Sequence, residues 1–181
     1  ALRQLMASKE LRAILLTSMH NIAYYSGFLY CSFGRPYACI VTETECTTIS
    51  ANIDLGQPWR RSYGDNLIYT DWQRDNYWRA VAHVMPDVGM IGIEGDHFTL
   101  ASHSKLKTFH ANLKTNDISN EIMSLRMVKS EEEISLIKGG ALVADIGGEA
   151  IRDVIQSGSR EIDIAMAGRD AMELAIAERY P

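Results

Sequence analysis

Apolar and polar positions change rhythm several times along the chain, and each change predicts an element. Leu2, Leu5 and Met6 recur at helical spacing before Lys9, which predicts an amphipathic helix entered without an N-terminal cap. "RAILLTS" at 12–18 predicts a buried strand, and "MHNIAYYSGF" at 19–28 a short helix or turn ended by Gly27. "YACIVT" at 37–42 and "CTTIS" at 46–50 predict two strands, joined as a hairpin by the polar "ETE" at 43–45. Further on, Tyr77, Trp78, Val81, Val84 and Met85 line one face of a helix that Pro86 ends, with Thr70 and Gln73 at capping-box spacing ahead of it. "VGMIGIEG" at 88–95 predicts another buried strand, "TLASHSKLKTFH" at 99–110 a helix, and "NLKTND" at 112–117 a short strand. Helices and strands in this order predict an α/β fold with helices flanking a mixed sheet, because the hairpin adds antiparallel pairing.

The character changes at Ser130, where "SEEE" joins an N-cap residue to acidic residues suited to the positive end of a helix dipole. Ile134, Ile137, Ala141, Ala144, Ile151 and Ile155 then keep a three-four rhythm over a long helix, with Gly139, Gly140, Gly147 and Gly148 as sites for close packing. "QSGSRE" at 156–161 breaks it, and Ser159 is placed to cap a second helix running to about Arg179. These two amphipathic helices have no sheet to cover them, which predicts that they open a further domain in a chain that continues. The domain reading is therefore 1–125 as one domain and 126–181 as junction and opening helices of the next.

Composition narrows the function. The 181 residues carry 46% hydrophobic content and a net charge of -5, enough apolar material for a core and the wrong sign for a nucleic-acid surface. No apolar run approaches the length of a membrane span and the N-terminus lacks a signal-peptide layout, so the expectation is a cytoplasmic protein without a membrane or nucleic-acid partner. Cys31, Cys39 and Cys46 are spaced without CxxC and are odd in number, which predicts reduced thiols near strands; a zinc site would find only His20 nearby. The other histidines, His83, His97, His103 and His110, are dispersed and lack HExxH spacing. His97, beside Glu94 and Asp96 in "EGDHF", has the form of a loop base, but an ordinary solvated loop is the preferred reading. Dinucleotide, P-loop and nucleophile-elbow patterns are absent, so these residues hold no self-sufficient active site. Met123, Met127, Met166 and Met172 are read as helix packing.

One constrained cation remains. In "YCSFGRPY" at 30–37, Pro36 pushes Arg35 away from helical geometry, Gly34 frees the backbone before it, and aromatic residues stand on both sides. A guanidinium offers a planar fork that matches a carboxylate, and an adjacent ring can cover the aliphatic part of a small ligand, so Phe33 and Arg35 form a candidate carboxylate clamp. On the residues alone, the preferred reading is that Phe33 caps the core while Arg35 makes a structural or interface ion pair.

"NIAYYSGF" and "LRMVKSEEEISLIKGGA" (from Leu125) resemble the N-terminal domain and junction of the creatinase, prolidase and aminopeptidase P superfamily. "YCSFGRPY", "SANIDLGQPWRR" (50–61) and "YTDWQRDNYW" (69–78) resemble the creatinase branch more specifically. The resemblance implies a mixed-sheet N-terminal domain followed by a "pita-bread" catalytic domain, in a homodimer whose N-terminal domain reaches the neighbour's active site. For the creatinase branch it implies hydrolysis of creatine, or a related guanidino acid, without metal or other cofactor. The catalytic residues would lie in the C-terminal domain, with none in these residues. By the FGR match, Phe33 and Arg35 would be substrate-binding, Arg35 on the carboxylate. A metal-dependent prolidase or aminopeptidase P and a non-catalytic dimerisation domain are the alternatives.

Overall fold

The computed structural model describes residues 1–29, 34–55, 62–71 and 74–179. In chain order the elements are α1 (Leu2–Ser8), β1 (Leu11–Leu16), α2 (Met19–Ser26), β2 (Ala38–Thr42), β3 (Cys46–Ala51), a 3-10 turn (Asn52–Asp54), β4 (Asp65–Tyr69), α3 (Asn76–Val84), β5 (Gly89–Ile93), α4 (Leu100–Phe109), β6 (Leu113–Asp117), α5 (Ser119–Met127), α6 (Glu131–Val154) and α7 (Glu161–Arg179). The chain divides into two compact units, Ala1–Arg126 and Met127–Pro181.

In the first unit six strands form one sheet in the order β4-β3-β2-β1-β5-β6. β1–β2 and β2–β3 pair antiparallel, while β3–β4, β1–β5 and β5–β6 pair parallel, so the expected mixed sheet is present. The apolar run of β1 has its reason in this order: the strand is central and buried on both faces. Ala13 and Leu15 join Ala38, Ile40, Ile49 and Ile91 under α3 and α4. Ile14 and Leu16 face the opposite core with Cys39, Val41, Ile22, Phe28 and Ile122. A register irregularity between Leu11 and Ala13 leaves Arg12 as the extra residue, which keeps its charge exposed without turning the apolar positions to the wrong face.

Helix ends follow local chemistry. Ser18 caps α2 by accepting from the Asn21 N–H at 3.3 Å, and Gly27 closes the helix in the left-handed region at φ 76°. α3 departs from expectation: it begins at Asn76 and not from a Thr70/Gln73 capping box, and Gln73 lies outside the described residues. Asp71 and Asp75 both adopt left-handed backbone, φ 52° and 59°, and the Asn76 side chain donates to the Thr70 carbonyl at 2.6 Å, so the approach is a turn. Two elements escaped the sequence pattern, the edge strand β4 and the helix α5.

In the second unit α6 carries the full capping box, with Glu133 N–H donating to the Ser130 hydroxyl at 3.2 Å and Ser130 N–H to the Glu133 carboxylate at 2.7 Å. Ser159 does not cap α7. Its hydroxyl donates to the Val154 carbonyl at 2.9 Å and accepts from the Gln156 N–H at 3.2 Å, finishing α6 instead. Gly147 and Gly168 set the approach of the two helices: a Cβ at Gly147 would stand 2.6 Å from Met172 Cγ, and one at Gly168 2.7 Å from Ile151 Cδ1. Gly140 and Gly148 face open space, so the close packing expected of them is absent. Of the methionines, Met172 packs at this contact while Met123 and Met127 are exposed. Among the described residues no helix is long and apolar enough to cross a membrane.

Candidate functional site

The candidate site is built on the segment that leads from Gly34 into β2. Gly34 takes φ +71°, a conformation that side chains disfavour, and it turns the chain so that Arg35 is half-buried while Tyr37 enters the core. Three phenols hold the segment, two of them from distant parts of the chain. Tyr69 at the end of β4 donates its hydroxyl to the Pro36 carbonyl at 2.9 Å, and Tyr77 on α3 donates to the Tyr37 carbonyl at 3.3 Å. Tyr37 in turn donates to the Asp54 carboxylate in the 3-10 turn. The Tyr69 and Tyr77 rings meet edge to face at 5.7 Å, which fixes both donors. The backbone just after Arg35 is therefore clamped through two successive carbonyls, those of Pro36 and Tyr37.

The electrostatics follow from that packing. Burial, then the hydrogen bond to Asp54, pushes the Tyr37 phenol well above its ordinary range. Burial raises Tyr69 to about 12 although the nearby Arg35 guanidinium pulls it down. Both phenols are thus neutral donors near neutral pH. Arg35 itself makes no hydrogen bond or salt bridge among the described residues, so an internal ion pair, one of the two readings of this residue, has no partner there.

Arg35 borders two hollows. One, of about 370 Å³, lies between Arg35, Tyr37, Trp78, His97, Phe98 and Thr99; the other, of about 140 Å³, lies between Arg35, Asn52, Ile53, Tyr69 and Asp71. Residues from "FGRPY", "SANID" and "YTDWQRDNYW" thus converge on one cation, although the segments stand well apart in the chain, at 33–37, 50–54 and 69–78. A partly covered guanidinium with aromatic walls is suited to hold a small carboxylate. Phe33, the other half of the expected clamp, lies outside the described residues, as does Cys31.

Sequence reasoning missed the group beneath this site. Glu94, at the end of β5, is 1% exposed and not part of a solvated loop. It accepts from Ser18 N–H at 2.9 Å, Ser18 Oγ at 2.5 Å, Asn21 Nδ2 at 2.6 Å and the Thr17 N–H. Burial opposes its charge, but the bonds from Ser18, Thr17 and Asn21 win and hold its carboxyl below the usual range. The network continues on both sides: Asn21 Oδ1 accepts from Arg126 at 2.8 Å, and Thr17 Oγ1 lies 2.9 Å from His97 Nδ1. His97 therefore stands on the rim of the larger hollow, tied to a hydroxyl, with Glu94 committed to the start of α2. The one legible signal was the Ser-x-x-Asn spacing at 18–21, which marks a helix start in need of acceptors. Among the described residues no group of three or more His, Cys, Asp or Glu side chains is placed to hold a metal ion.

Comparison with known proteins gives these features a lineage. The family model for the creatinase/prolidase N-terminal domain matches residues 1–128. The chain is 47% identical over 184 residues to a creatinase of Bacillus sp. (strain B-0618), covering 99% of this chain and 45% of that protein. It is 27% identical over 155 residues to an Xaa-Pro dipeptidase of Lactobacillus helveticus, covering 80% of this chain and 41% of the relative. The chain therefore spans less than half the length of either curated relative. Among solved structures, X-Pro aminopeptidase from Thermotoga maritima MSB8 superposes with a TM-score of 0.75 at 21% identity, over 96% of this chain and 48% of that one. Prolidase from Pyrococcus furiosus superposes at 0.72 and 20% identity, over 96% and 52%. At such identities the likeness is one of fold, and it agrees with the mixed six-stranded sheet and its flanking helices. With the family model covering the whole sheet-bearing unit, the chain belongs to the creatinase/prolidase N-terminal domain family.

Proposed function

We propose that the chain is the N-terminal portion of a creatinase-like C–N hydrolase that converts creatine and water to sarcosine and urea. The observation that carries this reading is the 47% identity to the Bacillus creatinase across 99% of the chain. The half-buried Arg35, unpaired among the described residues, supports it, because creatine is zwitterionic and its carboxylate needs a cation with no prior partner. In this reading residues 1–125 form the N-terminal domain and 126–181 the opening of the catalytic domain. The protein is a cytoplasmic homodimer, and Arg35, with Phe33 packed against the substrate, serves the active site of the neighbouring subunit. The groups that bind the guanidinium and move protons belong to the C-terminal domain, with no metal required.

The test is steady-state creatine hydrolysis by the whole protein and its Arg35→Ala and Arg35→Lys variants. Loss of a charge-assisted fork is worth about 1.5–3 kcal/mol, so kcat/KM for creatine should fall roughly 10- to 100-fold in Arg35→Ala. Arg35→Lys should recover part of it, since charge without the fork remains. An unchanged kcat/KM in Arg35→Ala would remove Arg35 from the substrate site. The relative from Lactobacillus favours a second reading, a peptidase acting on X-Pro dipeptides. Cleavage of such dipeptides, abolished by a chelator, with no turnover of creatine would establish that reading in place of the first.

A further inference from the structure

Two cysteines on the β2–β3 hairpin remain unused by the reading above. In the antiparallel register Cys39 stands opposite Thr48 and Val41 opposite Cys46, so the four residues share one face of the sheet and the cysteines occupy a diagonal of the rectangle. Their sulfurs approach to 3.6 Å. Both thiols are free, with Cys39 fully buried and Cys46 half-exposed. A disulfide requires about 2.05 Å between sulfurs, so a gap of the order of 1.5 Å remains, to be closed by side-chain rotation together with the strand movement that a diagonal pair needs.

The surroundings make the two thiols unequal. Arg3 reaches over this end of the hairpin, donating from Nε to the Thr42 carbonyl at 3.1 Å and from Nη2 to the Glu45 carbonyl at 3.2 Å. The hydrogen bond between the two thiols lowers the pKa of Cys46, with the positive charge of Arg3 acting in the same direction against burial. The reciprocal bond and burial raise Cys39. One sulfur is thus accessible and inclined to be a thiolate, and the other waits behind it as a protonated thiol.

We propose that Cys46 and Cys39 form a redox modification site, in which a hydroperoxide oxidises Cys46 and Cys39 then closes an intramolecular disulfide across the hairpin. In the first step the Cys46 thiolate attacks the outer peroxide oxygen. The O–O bond breaks, Cys46 becomes a sulfenic acid, and the departing alkoxide or hydroxide takes a proton from solvent. In the second step Cys39 sulfur attacks the Cys46 sulfur, the S–O bond breaks, and the hydroxyl leaves as water with the Cys39 proton. Two thiols and one hydroperoxide thereby give one disulfide, one alcohol or water, and one further water.

The experiment uses the whole protein carrying Cys31→Ser, treated with equimolar hydrogen peroxide. The expected result is a mass loss of about 2 Da, reversed by a dithiol reductant. Cleavage after Glu43 and Glu45 places Cys39 and Cys46 on separate peptides, which should then be found cross-linked. Before oxidation, Cys46 should alkylate at least about tenfold faster than Cys39. With Cys39→Ala added, the sulfenic acid on Cys46 should persist and be trapped by dimedone; with Cys46→Ser added, Cys39 should stay reduced. Peroxide consumption that leaves a stable sulfenic acid on Cys46 beside a titratable Cys39, cross-links only between chains, or no oxidation of either thiol would each overturn the proposal. The Cys31→Ser protein decides between these outcomes without the other substitutions.

Discussion

Replacing Glu94 by Gln removes one charge and almost no volume, which makes it a clean probe of the buried network under the candidate site. The carboxylate accepts from two backbone N–H groups on Oε2 and from Ser18 Oγ and Asn21 Nδ2 on Oε1. A Gln oxygen can keep the pair of backbone donors, but its amide then faces the Asn21 amide, whose own oxygen is held by Arg126. The two charge-assisted bonds on Oε1 are lost, the Ser18 hydroxyl can turn to accept from the new amide, the Asn21 donor is left facing a donor, and two backbone bonds lose their ionic character. At about 1.5–3 kcal/mol for a bond to a charged group and about 1–3 for an unsatisfied buried donor, with partial relaxation, the variant should lose about 2–4 kcal/mol. Urea unfolding followed by far-UV circular dichroism measures the difference. Its pH dependence adds a second constraint. The folded-state pKa of Glu94 lies below its ordinary value of 4.5, so the folded protein binds fewer protons than the unfolded chain. The contribution is therefore fully present above pH 4.5 and is lost as pH falls through the lower folded-state pKa. The gap between wild type and Glu94→Gln should close on acidification through that window. A cost below about 0.5 kcal/mol at pH 7, or one that stays constant as the carboxylate protonates, would refute the assignment of Glu94 as the charged anchor of α2.

Other expectations follow from particular contacts. Gly147→Ala forces a Cβ to 2.6 Å from Met172 Cγ and should destabilise the α6–α7 pair by about 1–3 kcal/mol, whereas Gly140→Ala, in open space, should be neutral or stabilise by up to about 1 kcal/mol in thermal unfolding. Ser130→Ala breaks the capping box and should cost about 0.5–2 kcal/mol, seen as faster hydrogen exchange in the first turn of α6. Tyr69→Phe removes the donor to the Pro36 carbonyl; stability should fall by about 1 kcal/mol, and, under the proposed creatine hydrolysis, KM should rise with little change in kcat.

The sheet was legible where burial leaves an unambiguous pattern, and illegible where it does not. "RAILL" and "GMIGI" are apolar on consecutive positions because β1 and β5 carry cover on both faces. β4, "DNLIY", lies at the edge with only Tyr69 fully buried, and its polar start hides the period of two. α5 packs through Ile122, with Leu125 beside the core, too sparse a stripe to separate from the following junction. Arg35 could be picked out because Gly34 and Pro36 constrain it locally. The tyrosines that hold its backbone could not, since the Tyr69 and Tyr77 contacts cross 33 and 40 positions. Glu94 was obscured for the same reason: "EGDHF" has the composition of a surface loop, and the donors that make it a buried anion come from 73 to 77 residues earlier. Short-range chemistry is written in neighbouring letters, while the cost of burying a charge is decided by partners that only the fold brings close.

The clamp on the Pro36 and Tyr37 carbonyls has a thermodynamic consequence for any anion that reaches Arg35. A guanidinium already bound to a carboxylate of its own chain would have to exchange partners, and the gain on binding would be largely cancelled by the bond given up. Among the described residues the anchoring is made by neutral phenols on the backbone, so the cation is held in place without being neutralised. An incoming carboxylate would meet no competing anion among the described residues, and the ordering of the Gly34–Tyr37 backbone, usually a cost charged to association, has been settled at folding.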